Sequence, residues 1–465
     1  MTSSFSPSVL AALLVAAPYL IACGDDAAVP IDGAAQAFDL GAADASDLGG
    51  PDAGFTVTTP GFFFAALFDG NLVGADYWSD EPEILSAGVG FADIVGLPFA
   101  TLTEDNVRQA GGAWSTAFAC GDDTRNTTSA STQANVALAY VSRNPYVGFR
   151  DAALGLDGLP VVFSWPMDTR TLSLTDFRLT LTTGEVVTPQ AVSPFPCFEN
   201  NERNVAVIFG EFANRLPSSD PDSRFPVRVE IVADDTPLTL VGPEGRTESA
   251  VGLSWETSTS LYDADNGPRL VGAKLNRVGD RVLGEGLSVP APTNVAIPND
   301  ELLLYDEGDF RLRILTTGGF SPDGVRSVLP TDFETFFRLH ARGEGGDVIL
   351  DEVGIDYAVL GGSLRVVGLA ELGEPEGRGV VYDGCYDEDL DNYIDIILVG
   401  DEAAARNLTH VEIPSLAGGY GAFFNPGGPG TTPFEGVAYT SPGPPDLEPV
   451  ILALDDPMRV TRMAP

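Results

Sequence analysis

The residues whose types and spacing best suit chemistry lie between Cys385 and Ile396, in the run CYDEDLDNYIDI. Carboxylates recur at every second position, Asp387, Asp389 and Asp391, and Asp395 follows after Asn392, Tyr393 and Ile394. Calcium and similar hard cations take six to eight oxygens from carboxylates, carbonyls and water. A tight loop here would offer Asp387, Asp389, Asp391 and Asp395 together with the backbone carbonyl of Tyr393. Asn392 enters left-handed geometry more readily than most residues, which helps the chain turn. Clustered carboxylates repel unless a cation neutralises them. The expectation is a structural Ca2+ ion, set against a solvated acidic turn before a strand. Asp263-Ala264-Asp265-Asn266-Gly267 is a shorter echo of the same pattern.

The run resembles the first part of an EF-hand-type or dockerin-type calcium loop over about nine residues, with Asp387 at position one and Ile394 at the aliphatic position eight. It departs from that pattern at position twelve, where Leu398 replaces the bidentate glutamate; Asp401 or Glu402 would close the shell only if the chain bent back.

Other chemistry is sparse. Only His340 and His410 are present, without HExxH and without Cys/His spacing for zinc. His340 lies among apolar residues in an expected strand, the setting of a structural histidine. A G-x-S-x-G elbow is absent, as are a phosphate loop and a dinucleotide fingerprint. Paired carboxylates would still suit a glycoside hydrolase, and Tyr77-Trp78-Ser79-Asp80 is the one aromatic–acid cluster that would suit sugar stacking. A carboxylate-based enzyme on surface polysaccharide is therefore the alternative to a non-catalytic binding or structural module.

Charge narrows the partners. Lys plus Arg number 25 and Asp plus Glu 67, a net charge of −42, and Lys274 is the only lysine. Such a surface repels nucleic acid and anionic headgroups. A surface protein or polysaccharide is the expected partner.

The elements that must carry these residues begin after a leader. Val9 to Ala22 is a nearly unbroken apolar run, short for a membrane span and of signal-peptide length. It ends in Leu20-Ile21-Ala22-Cys23, which resembles the lipobox of bacterial lipoproteins, although no Lys or Arg precedes the run. The resemblance implies lipid on Cys23 and a place in the bacterial cell envelope, on the outer membrane or cell surface. Gly24 to Gly54 is rich in Asp, Ala and Gly and lacks basic residues, so it reads as a disordered acidic tether. Cys120, Cys197 and Cys385 remain. In an oxidising compartment they allow one disulfide and one thiol. Cys120–Cys197 is preferred because the two lie in neighbouring segments, and the other pairings stay open.

High Gly and Pro content with 20% charged residues predicts many short strands. Phe177, Leu179 and Leu181 alternate with polar residues, as do Val205, Val207 and Phe209, and Val227, Val229 and Ile231. Such patterning predicts a β-sandwich. Val162-Phe163-Ser164, Pro166-Met167-Asp168, Thr171, Phe177 and Gly184 resemble the bacterial Ig-like domains of the S-layer-protein type, over about Asp157 to Gly242. That resemblance implies a surface spacer or binding module without catalytic residues. Asp356 to Gly368 reads as a hairpin turning at Gly361-Gly362, and Phe333 to Leu339 as strand or helix.

The expected fold class is mainly β: tandem Ig-like β-sandwiches with a small mixed α/β N-terminal region and an irregular C-terminal region. The expected divisions are a signal peptide (1–22), tether (23–57), mixed region (58–152, with helices near 103 and over 131–143), Ig-like sandwich (153–247), second sandwich (248–370) and C-terminal β region (371–465).

Overall fold

A computed structural model describes most residues of 68–87, 91–95, 114–120, 123–128, 156–260, 269–280, 305–317, 332–373, 387–388, 392–414 and 445–464, together with Asp263. The protein is mainly β. Two α-helices are described, the single turns Phe333–Phe336 and Glu402–Ala405. The signal peptide, the tether, the helices expected near 103 and over 131–143, and Cys23 lie outside the described residues.

The first sandwich packs two sheets face to face. One runs Ile84–Ser86, Leu156–Phe163, Val205–Gly210, Ala191–Ser193, with Phe91–Val95 also on Leu156–Phe163. The other runs Ser254–Glu256, Pro226–Ile231, Phe177–Leu181, Val186–Val187. The alternation read from the sequence decides which side chains meet. Phe177, Leu179 and Leu181 point inward to Val161, Phe163 and Ile208, while Arg178 faces out. Gly184 takes a φ of +80° in the turn and donates to the Leu181 carbonyl at 2.8 Å.

The second sandwich has a six-stranded sheet in the order Tyr357–Val359, Gly362–Ala370, Tyr393–Gly400, Phe310–Thr316, Leu270–Arg277, Ile451–Leu452. It faces a four-stranded sheet, Gly346–Leu350, Arg338–Gly343, Leu408–Ile413, Asp446–Pro449. Leu275, Leu312, Ile314, Ile396, Leu339 and Val411 share its core. The expected hairpin is present, with Val359 opposite Gly362 and Gly361 at φ +96°.

Sheet pairing moves the expected boundaries. Ser254–Glu256 pairs with Pro226–Ile231, so the first sandwich runs past 247. Tyr393–Gly400 lies between Gly362–Ala370 and Phe310–Thr316, so the segment after 370 completes the second sandwich. A partner strand on each edge pairs the backbone of Tyr393–Gly400, which makes it a central strand of that sheet. Leu72–Asp76 pairs antiparallel with Arg459–Arg462, which brings the two ends of the described chain together.

Glu448 makes the stability of the second sandwich depend on pH. It stands opposite fully buried Val411 on the inward side of its strand. Burial, with Asp446 nearby, pushes its carboxyl up to about 7. A raised carboxyl contributes stability that is whole below its unfolded value and lost as pH rises through about 7. Glu448→Gln should therefore stabilise the protein at pH 8, by about 1–3 kcal/mol, and lose that advantage at pH 4. Thermal melts at the two pH values check it; equal gains at both would refute the assignment.

Candidate functional site: a buried ionic joint

The strand Tyr393–Gly400 begins inside the sequence run expected to hold calcium, and it changes the reading of that run. Tyr393 is opposite Leu315 and Asp395 is opposite Arg313 in an antiparallel ladder. Asp395 is 4% exposed. Arg313 grips both its oxygens, Nε to Oδ1 at 2.9 Å and Nη2 to Oδ2 at 3.0 Å, and Arg311 lies 3.6 Å from Oδ2. A carboxylate held by two guanidiniums is not a calcium ligand, and a residue on a central strand of a six-stranded sheet is not a loop position. Tyr393 and Asp395 therefore leave the expected ligand set. Asp387 lies in the two-residue strand Asp387–Glu388, paired with Leu372–Gly373; its side chain, Asp389 and Asp391 lie outside the described residues. Asp263 of the shorter echo accepts from Ser218 N and Oγ at 2.6 and 2.7 Å and from Ser260 N at 3.1 Å. Among the described residues, no three His, Cys, Asp or Glu side chains are arranged to hold a metal ion.

What the residues form instead is a buried ionic joint between the sandwiches. Period-two alternation puts Leu275, Leu312, Ile314, Ile394 and Ile396 on one face of the six-stranded sheet. It puts Lys274, Asn276, Arg311, Arg313, Tyr393 and Asp395 on the other, and all six are buried. Lys274, Arg313 and Asp395 stand directly opposite one another on three adjacent strands. Two neighbouring cations need an anion, and Asp76 supplies it. Its Oδ1 is 2.6 Å from Lys274 Nζ and 3.2 Å from Arg459 Nε, and its Oδ2 is 3.2 Å from Arg313 Nη1. Burial would raise the Asp76 carboxyl, but Lys274, Arg459 and Arg313 outweigh it and hold it at about 2. Burial works against the Arg313 charge, yet Asp395, Glu202 and Asp76 keep the guanidinium firmly protonated.

The first sandwich closes the joint with a polar loop. Glu199, Asn201, Glu202, Arg203 and Asn204 are all at most 3% exposed. Glu202 reaches Arg313 Nη2 at 2.9 Å. Asn204 accepts from the Tyr393 hydroxyl at 2.7 Å and donates to the Phe163 carbonyl at 3.0 Å. Arg203 donates to the Cys197 carbonyl at 2.8 Å and to Asn200 at 3.2 Å. Cys197 is thus buried beside the joint; the Cys120 side chain, its expected disulfide partner, lies outside the described residues.

The other expected site residues fall into structural places. Trp78 and Tyr77 are 5% and 6% exposed, so neither presents a face for a sugar. Trp78 instead covers Gly272, where a Cβ would come within 2.5 Å of the indole. His340 is placed between two carboxylates, Nδ1 at 2.8 Å from Asp347 and Nε2 at 2.7 Å from Glu412. Burial disfavours its charge, but these two hydrogen bonds win and raise its pKa. It is the structural histidine the sequence suggests.

Sequence reasoning missed the joint, though a signal exists: polar or charged residues flank a single apolar one on three strands, Lys274 and Asn276 about Leu275, Arg311 and Arg313 about Leu312, and Tyr393 and Asp395 about Ile394. No helix among the described residues is long and apolar enough to cross a membrane. Comparison with protein-family models, with curated proteins and with solved structures gives no match to this chain.

Proposed function

We propose that the chain is a lipid-anchored protein of the bacterial cell envelope, with Ig-like sandwiches serving as a rigid, non-catalytic binding or structural module. The observation that carries this reading is the buried joint. The charged groups gathered there are engaged by one another rather than presented to a substrate, and their effect is to weld two sandwiches and both ends of the described chain into one unit. A spacer that holds its outer surface at a fixed attitude needs that rigidity. The acidic exterior suits a cationic or neutral surface partner and disfavours nucleic acid. Burial of Tyr77 and Trp78 removes the observation that would have favoured a polysaccharide-cleaving enzyme.

The anchor is tested in bacteria fed a labelled fatty acid. Label and membrane association should both be present in the wild type and both be lost in Cys23→Ser; a Cys23→Ser protein that stays labelled and membrane-bound would sink the reading.

Calcium belongs to the same proposal, now resting on Asp387, Asp389 and Asp391 without Tyr393 or Asp395. At calcium a hundredfold above its dissociation constant, linkage gives a stabilisation of about 3 kcal/mol. The melting temperature should rise with calcium, fall with chelator, and cease to respond in Asp389→Ala. Coincident melts would make the run a solvated acidic turn.

A further inference from the structure

Lys274 is the one lysine in a chain whose 25 basic residues are otherwise arginine. It is fully buried, as is Asp76, and its Nζ lies 2.6 Å from Asp76 Oδ1. An ion pair alone does not explain the choice of lysine. Arginine fills the other cationic places in this joint, Arg311, Arg313 and Arg459, and it binds carboxylates bidentately. What lysine offers and arginine does not is a nucleophilic amine.

We propose that Lys274 and Asp76 condense to an intramolecular isopeptide bond, which staples the strand Leu72–Asp76 to the strand Leu270–Arg277. The reaction needs no co-reactant. A proton passes from the ammonium to Asp76 Oδ1 along their short contact, leaving a neutral amine and a neutral acid. The Nζ lone pair attacks Cγ and the C–N bond forms. The negative charge that develops on Oδ2 faces Arg313 Nη1, 3.2 Å away in the ion pair. A second proton moves from nitrogen to Oδ1, the C–Oδ1 bond breaks, and one water leaves.

Three features of the site favour this step. Fixing the two groups in contact gives an effective molarity on the order of 10⁵–10⁸ M. The Nζ is aimed by its hydrogen bonds to the Tyr77 carbonyl at 3.1 Å and the Met458 carbonyl at 2.8 Å. Burial, helped by Arg459 and Arg313, outweighs Asp76 and brings the Lys274 amine down to about 8, which narrows but does not close the uphill gap to the Asp76 carboxyl, held at about 2, that the first proton transfer must climb. Condensation also removes two opposite charges from a site where their desolvation is costly. Arg313 keeps Asp395 and Glu202 as anionic partners, and Arg459 keeps Asn276.

The consequence is mechanical. Asp76 is the last residue of the first described strand, the one nearest the tether. Tension on the N-terminal end could peel Leu72 and Ala75 from Arg462 and Val460, but it would meet a covalent bond at Asp76 before it reached the sandwiches.

The test is peptide mapping by mass spectrometry of the full chain purified under native conditions and then denatured. The expected result is a branched peptide joining the Asp76 and Lys274 segments, lighter than their sum by one water, with one bond per chain. An amine-reactive reagent applied in denaturant should then label no side chain, because the only ε-amine is consumed. A linear Lys274 peptide that takes the label would overturn the proposal. Lys274→Arg controls the assignment, since the loss of water must vanish with it; wild-type mapping decides the question even if that variant does not fold.

Discussion

Replacing Arg313 with Met should unfold or nearly unfold the protein, the largest loss expected from any single change in the joint. Arg313 is 3% exposed at its side chain and contacts three carboxylates, Asp76, Asp395 and Glu202. Removing one member of a buried ion pair costs about 3–5 kcal/mol, because the partner charge stays buried. Here two carboxylates, Asp395 and Glu202, lose a cation at once, and Asp76 loses a hydrogen-bond donor whether or not it is condensed with Lys274. Lys274 and Arg459 still hold Asp76, while Asp395 is left with Arg311 at 3.6 Å. The loss should therefore come mostly from Asp395 and Glu202. Arg313→Met with Asp395→Leu removes a cation and an anion together and should recover part of the stability. Chemical denaturation of the wild type, both single variants and the pair gives the coupling. Additive losses would mean that Arg313 and Asp395 do not act as a unit, and the joint would then not be what holds the sandwiches together.

That joint also marks where the sequence stops being readable. Strand identity was legible because it is local: Phe177-Leu179-Leu181 and Val205-Val207-Phe209 alternate, and alternation selects the buried side chains of one strand. The hairpin at Gly361-Gly362 was legible because its turn needs positive φ at adjacent positions. Alternation says which face of a strand is polar, but not what covers that face. Asp395 reads as a ligand in an acidic loop because Asp387, Asp389 and Asp391 precede it. In the fold its neighbours are Arg313 and Arg311, on a strand about 80 residues earlier. The polar loop from Glu199 to Asn204 has a composition that belongs on a surface, and it is buried because the second sandwich supplies its partners. The boundary placed at 370 failed for the same reason. Composition changes there, whereas sheet pairing does not.

Trp165 tests whether the joint makes the two sandwiches one cooperative unit. It is fully buried in the first sandwich, donates from Nε1 to the Ser79 carbonyl at 2.8 Å, and lies under the Arg246 guanidinium at 4.7 Å. Trp165→Ala should cost about 3–5 kcal/mol from lost burial and the cavity left behind. Calorimetry should show one transition moved as a whole, because unfolding the first sandwich withdraws Glu202 and Asn204 from Arg313 and Tyr393 and leaves their buried groups unmatched. Two separated transitions, with only one shifted, would refute the coupling. Gly242 supplies the companion measurement. It has extended backbone that any residue can adopt, yet a Cβ there would stand 2.4 Å from atoms of the Trp165 ring. Gly242→Ala should therefore destabilise the wild type through that clash alone, and should be close to neutral in the Trp165→Ala background, where the indole is gone. Equal costs in both backgrounds would place the penalty in the backbone rather than in the packing of Trp165, and would remove the indole as the element that closes the first core beneath the joint.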